Sequence, residues 1–94
     1  MRKYEIMYII RTDLDEQVVQ NVTEKFQAII SNGGEISKHH VMGKRRLAYE
    51  INKYRDGIYV LVNFSAEPDV VKELDRVMRI SDEIIRYLIV QDAS

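Results

Sequence analysis

Three consecutive cations, Lys44-Arg45-Arg46, are the strongest chemical signal in this chain, and they open the stretch G-K-R-R-L-A-Y-E-I-N from Gly43 to Asn52. Arginine presents a planar fork of donors that matches phosphate oxygens two at a time. The triplet runs directly into Leu47, Ala48, Tyr49, Glu50 and Ile51, an alternation that marks a strand with one face against a core. Successive side chains on a strand point to opposite sides, so Lys44 and Arg46 share one side and Arg45 takes the other. That splayed set suits phosphates wrapped around an edge better than a single carboxylate pocket. Taken alone, the same triplet also serves as a charged edge that discourages strand-to-strand aggregation.

Charge is segregated along the chain. The formal net charge is −1, from 14 basic and 15 acidic residues. Between Ile36 and Arg55, Lys38, Lys44, Arg45, Arg46, Lys53 and Arg55 face only Glu50, a local charge of +5 that leaves −6 on the remainder. Such segregation steers an anionic partner to one surface. Arg2 and Lys3 add positive charge at the start of the chain.

Other chemistries find no support. There is no cysteine, which excludes disulfides, thiolate catalysis and Cys-ligated zinc. His39 and His40 are adjacent, so on a strand they point to opposite faces and cannot chelate one ion. Asp13, Asp15, Glu16, Asp82 and Glu83 sit at element ends, where capping and solvation account for them. Ser31, Ser37, Ser65 and Ser81 lack a nucleophile elbow, and Gly33-Gly34 is not followed by the pattern of a phosphate loop. No catalytic residue, metal site or cofactor is expected. Met1-Arg2-Lys3 resembles a signal n-region, but Glu5 and Arg11 interrupt the apolar stretch it would need. No apolar run reaches membrane-spanning length, so a cytoplasmic protein is expected.

The elements that must position the triplet follow from periodicity. Ninety-four residues suit one domain spanning 1–94, burying roughly 60–65% of the unfolded chain's surface. Lys3–Arg11 reads as a strand, with Tyr4, Ile6, Tyr8 and Ile10 on one side. Thr12 and Asp13 offer N-caps, and Asp13 with Glu16 has capping-box spacing. Leu14, Val18, Val22, Phe26 and Ile29, flanked by Val19 and Ile30, give an amphipathic helix that Gly33-Gly34 ends in the left-handed region. A long second strand runs from near Ile36 to Asn52, with Gly43 marking a bulge or bend. Lys53–Gly57 is a polar turn ending in the hairpin signal Asp-Gly. Ile58–Phe64 is the third strand. Pro68 begins a second helix carrying Val70, Val71, Leu74, Val77 and Met78, and Ile84–Val90 is the last strand.

The order β-α-β-β-α-β, with right-handed crossovers, gives a ferredoxin-like sandwich of the α+β class: a four-stranded antiparallel sheet with two helices on one face. The helices cover Tyr4, Ile6, Tyr8 and Ile10, with Val60, Val62 and Phe64. The open face then presents Met7, Ile9, Tyr59 and Leu61, plus one alternating set from the last strand. Open faces are usually polar, so this contiguous apolar content asks for a protein cover. RNA-recognition modules of this fold stack bases on third-strand aromatics. Aligning Gly57 with the glycine of their motif puts Ile58, Val60 and Asn63 at those positions, and none is aromatic. Binding is therefore expected at backbone and shape, through Arg and Lys.

These residues also carry a family resemblance. The stretch Gly43–Asn52 resembles the signature of the bacterial small-subunit ribosomal protein six family. Met1-Arg2-Lys3-Tyr4-Glu5 is similar to that family's usual start, and Asp56-Gly57 leads a similar third strand. The likeness covers essentially the whole chain, although some relatives carry a longer acidic tail beyond the position of Ser94. It implies a non-catalytic component of the 30S subunit that binds the central domain of 16S ribosomal RNA with small-subunit protein eighteen, as a heterodimer. Arg45, Arg46, Leu47 and Tyr49 take the signature positions, and Arg2 that of the basic residue at the start. From charge and facing, RNA contact falls to Arg2, Lys3, Lys44, Arg45 and Arg46, and protein contact to Met7, Ile9, Tyr49, Tyr59 and Leu61. Two other uses of the fold compete. One is a regulatory domain that binds a small ligand and dimerises through its open face. The other is an acyl-phosphate hydrolase, which needs an anion loop that Arg11-Thr12-Asp13-Leu14 does not supply.

Overall fold

A computed structural model of the chain describes residues 1–51 and 53–91. Its elements are β1 (Arg2–Ile10), α1 (Glu16–Ser31), β2 (Gly34–Ile51), β3 (Tyr54–Ala66), α2 (Pro68–Arg79) and β4 (Ile84–Gln91). The strands form one antiparallel sheet in the order β2-β3-β1-β4. The two strands that enter the crossovers, β1 and β3, therefore pair at the centre. This is the ferredoxin-like sandwich that the element order predicts.

The period-2 strands and the helical stripe close one core. Ile6, Tyr8 and Ile10 of β1 meet Val60, Val62 and Phe64 of β3, Phe26 and Ile30 of α1, and Leu74 and Met78 of α2, all but fully buried. Tyr8 and Phe26 pack edge to face, with centroids 5.4 Å apart. Thr23 joins the buried side of α1 because its hydroxyl donates to the Gln20 carbonyl at 2.9 Å, which satisfies its one polar group. On the far edge the Tyr87 hydroxyl donates to Asp75 of α2 at 2.6 Å. Ile89 and Tyr87 pair with Ile6 and Tyr8, so Arg86, Leu88 and Val90 are the set that β4 gives to the open face.

Three local expectations are corrected. The N-cap of α1 is Asp15, whose carboxylate accepts from the Val18 amide at 3.0 Å. Asp13 is instead gripped by the Arg11 guanidinium at 2.6 and 2.8 Å, a charge-assisted pair that outcompetes a neutral amide, and Thr12 donates to Asp56.

Gly33-Gly34 does not supply a left-handed cap either: the C-cap Asn32 has φ −70°, and Gly43 is the glycine with positive φ among the described residues. Those two glycines are there for space. A Cβ on Gly33 would meet Val70 Cγ2 at 2.8 Å, and one on Gly34 would meet the Ser65 carbonyl oxygen at 2.4 Å. Gly34→Ala is therefore expected to lower the unfolding free energy by about 1–3 kcal/mol. It should act towards the upper end, because the obstructing atom is backbone, and the urea midpoint reads it.

The hairpin reverses earlier than Asp56-Gly57. Ile51 pairs with Tyr54, and Lys53 takes φ +70°, so the Asp-Gly pair lies inside β3. Asn52, expected at the end of the second strand, lies outside the described residues.

β2 runs 18 residues but slips register after Ile36, after Val41 and again between Arg46 and Ile51. Gly43, with φ +91°, carries the second slip, in a region that favours glycine. The slips put Ile36, His39 and Val41 in register with Phe64, Val62 and Val60, which identifies the helix-facing side of β2 before Gly43.

Candidate nucleic-acid interface and the apolar face beside it

Beyond the core, β2 and β3 continue as a two-stranded arm, and the cationic triplet sits at its base. Lys44, Arg45 and Arg46 pair with Ile58, Gly57 and Asp56. Together with Arg55 they line a recess of about 430 Å³. Lys44 Nζ stands 3.4 Å from Asp56, and Arg55 stands 3.6 Å from Glu50. The Thr12 hydroxyl bonded to Asp56 at 2.8 Å, helped by the charges of Lys44 and Arg46, holds that carboxyl below the usual carboxylate range. Among the described residues, neither Arg45 nor Arg46 has a carboxylate within ion-pair distance. Within this recess those two guanidiniums are the ones left for an external anion.

Arg2 and Lys3 are elsewhere. They pair with Ala66 and Ser65 at the opposite end of β1 from Ile10, roughly 25 Å away at about 3.3 Å per residue. The structure thus brings Lys44, Arg45 and Arg46 together, adds Arg55, and leaves Arg2 and Lys3 as a separate positive site. Arg55 was visible in the sequence as part of the positive segment, but only the pairing of the arm places it beside the triplet.

The face expected to be bare is partly covered by the arm itself. Four residues of β2, Leu47 to Glu50, stand opposite Arg55 alone between the pairs Arg46↔Asp56 and Ile51↔Tyr54, and such a mismatch bends a strand. Leu47 is only 7% exposed and Ile9 only 5%. Ile9 therefore supports the face from beneath rather than presenting itself. Gly57 makes room for it, since a Cβ there would meet Ile9 Cγ2 at 2.2 Å.

What remains is an apolar recess of about 340 Å³, in which Met7, Ile9, Tyr49 and Tyr59 are joined by Leu47 and Leu88. Leu61 does not line it but pairs with Met7 on the same face. The Arg86 guanidinium, also at the recess, donates to the Tyr49 hydroxyl at 2.5 Å. Sequence spacing gave no sign of this last contact.

His39 and His40 pair with Val62 and Leu61 on opposite faces. Burial of His39, whose Nε2 has no hydrogen-bond partner among the described residues, pushes its pKa below 6.5, with the charge of His40 adding to the effect. The unfolded chain then binds a proton that the native state refuses, so stability falls as pH drops through 6.5 and levels off below the native value. His39→Gln should flatten that part of the pH profile of the urea midpoint. An unchanged profile would assign the dependence to other groups.

The chain is thus a ferredoxin-like α+β protein whose sheet carries a cationic arm base next to an apolar recess. The family model for ribosomal protein S6 matches residues 3–91, and the chain belongs to that family. The small ribosomal subunit protein bS6 of Exiguobacterium sibiricum is 53% identical over 93 residues, covering 98% of each chain. That of Halalkalibacterium halodurans is 52% identical over the same share. The crystal structure of 30S ribosomal protein S6 from Thermotoga maritima superposes with a TM-score of 0.92 at 34% identity, covering 97% of this chain and 87% of that one. The resemblance seen in Gly43–Asn52 is thereby borne out. Members of this family are structural components of the cytoplasmic ribosome's small subunit, not enzymes, and the hydrolase and small-ligand readings give way to it.

Proposed function

We propose that this protein is a structural constituent of the 30S subunit that binds the central domain of 16S rRNA cooperatively with small-subunit protein eighteen. One observation carries the reading: Arg45 and Arg46, which have no carboxylate partner among the described residues, lie in the same strand as Leu47 and Tyr49, which line the apolar recess a few residues on. Lys44, Arg45 and Arg46 contact phosphates, Arg2 and Lys3 reach a second backbone segment, and Met7, Tyr49, Tyr59 and Leu61 meet the partner over buried Ile9. Net charge −1 makes the chain alone a weak RNA ligand. The partner's cover joins two positive surfaces, so phosphates meet a larger, preorganised patch and release more counterions.

The test is titration of a central-domain rRNA fragment with the chain alone and with protein eighteen present. Affinity should rise with the partner. Equal affinity in both titrations would overturn the cooperative mechanism. Co-purification with 30S particles, with crosslinks mapped to β2, tests the location.

A further inference from the structure

Tyr49 and Arg86 are 37 residues apart in sequence and belong to the two opposite edge strands of the sheet. One transverse row runs Gly43, Tyr59, Ile9, Arg86 across β2, β3, β1 and β4. At about 4.8 Å per strand that row is roughly 14 Å wide, a span closed by the bent arm together with the long side chains of Tyr49 and Arg86. Leu47 is the anchor of the bend, being nearly buried in the recess. Tyr49 is 61% exposed, so its hydrogen bond competes with water and contributes direction more than strength. Arg45 and Arg46 immediately precede Leu47 in the strand. The ladder pairs with Gly57 and Asp56 hold their backbone, and the bend that starts at the next residue sets how the strand, and with it their side chains, leaves the sheet.

We propose that the Tyr49–Arg86 hydrogen bond is a clasp that holds the hairpin arm across the open face and thereby sets the position of Arg45 and Arg46. Tyr49 and Arg86 act as positioning residues, and the phosphate contacts belong to the arginines at the arm's base. In its RNA consequence this inference rests on the function proposed above.

Tyr49→Phe removes the hydroxyl and leaves ring and charge in place. NMR backbone order parameters over residues 47–51 should fall from about 0.85 towards 0.6, with little change in the unfolding midpoint. Arg86→Met should give the same loss, and the double variant no more, because both remove one interaction. Affinity of chain and partner together for the central-domain fragment should weaken about two- to tenfold in Tyr49→Phe, although no charge is lost. Unchanged order parameters would overturn the clasp. A loosened arm with wild-type RNA affinity would overturn its positioning role. Absence of RNA binding by the wild-type chain with its partner would fell the functional reading instead, and the order parameters would still decide the clasp.

Discussion

The double variant Arg45→Ala/Arg46→Ala is expected to lose about thirtyfold in affinity for the rRNA fragment at ~0.15 M salt while folding normally. The magnitude follows from counterion release, with roughly 0.9 ions freed per phosphate neutralised and hence a salt-slope decrease of nearly two for the pair. Both side chains are exposed and neither serves an ion pair among the described residues, so their removal leaves no carboxylate stranded. Lys44→Ala should do less. Its ammonium is already partly neutralised by Asp56 at 3.4 Å, and a surface pair of that kind contributes at most about 1 kcal/mol. Changes at Arg2 or Lys3 should add independently, since sites well beyond about 10 Å apart seldom couple. Affinity measured at several salt concentrations gives the slope, and a thermal melt gives the fold. A folded double variant with the wild-type slope would remove the triplet from the interface. A lost melting transition would make it structural.

Phe26→Ala is the opposite case, with a large effect on stability and no direct contact with RNA. Phe26 is 2% exposed and closes α1 onto Tyr8. Truncating a buried phenylalanine removes its transfer free energy and leaves a cavity, at a cost of about 3–5 kcal/mol. Domains of this size are stable by about 5–15 kcal/mol, so the variant would keep a fraction of that margin. Its melting temperature should drop by roughly 15 °C or more. Calorimetry or circular dichroism reads the shift directly. A loss below about 1 kcal/mol would mean that the helices repack freely over the sheet, contrary to the edge-to-face contact. Leu47→Ala should cost less than Phe26→Ala, since Leu47 is absent from the main core cluster, but its effect should be local to the arm.

Much was legible in the sequence because it is encoded at short range. The alternation of Tyr4, Ile6, Tyr8 and Ile10, the stripe from Val22 to Ile30 and Pro68 at the head of a helix depend on residues a turn or a pleat apart. They specify the β-α-β-β-α-β order and the core, and Gly43 marked its bulge. The triplet and its positive surroundings were likewise plain, and the family signature lies within ten residues. What the tertiary structure decided involves atoms distant in the chain. Gly34 is glycine because the Ser65 carbonyl passes close by, and Gly57 because Ile9 packs against it. Asp13 loses its capping role to Arg11, and Asp56 becomes a partner of Thr12 and Lys44 instead of a turn residue.

The division is sharpest in Lys44-Arg45-Arg46 and its strand. The charge of the triplet was settled by residue type alone. Its setting came from strand pairing: a four-against-one register slip swings Leu47 and Tyr49 over the sheet, the arm's own ladder gathers Arg55, and the pairing of β1 with β3 leaves Arg2 and Lys3 at the far end. Periodicity reports which side of a strand a residue takes. It does not report where a bent strand goes, because the bend is stabilised by burial and by a hydrogen bond to a residue 37 positions away.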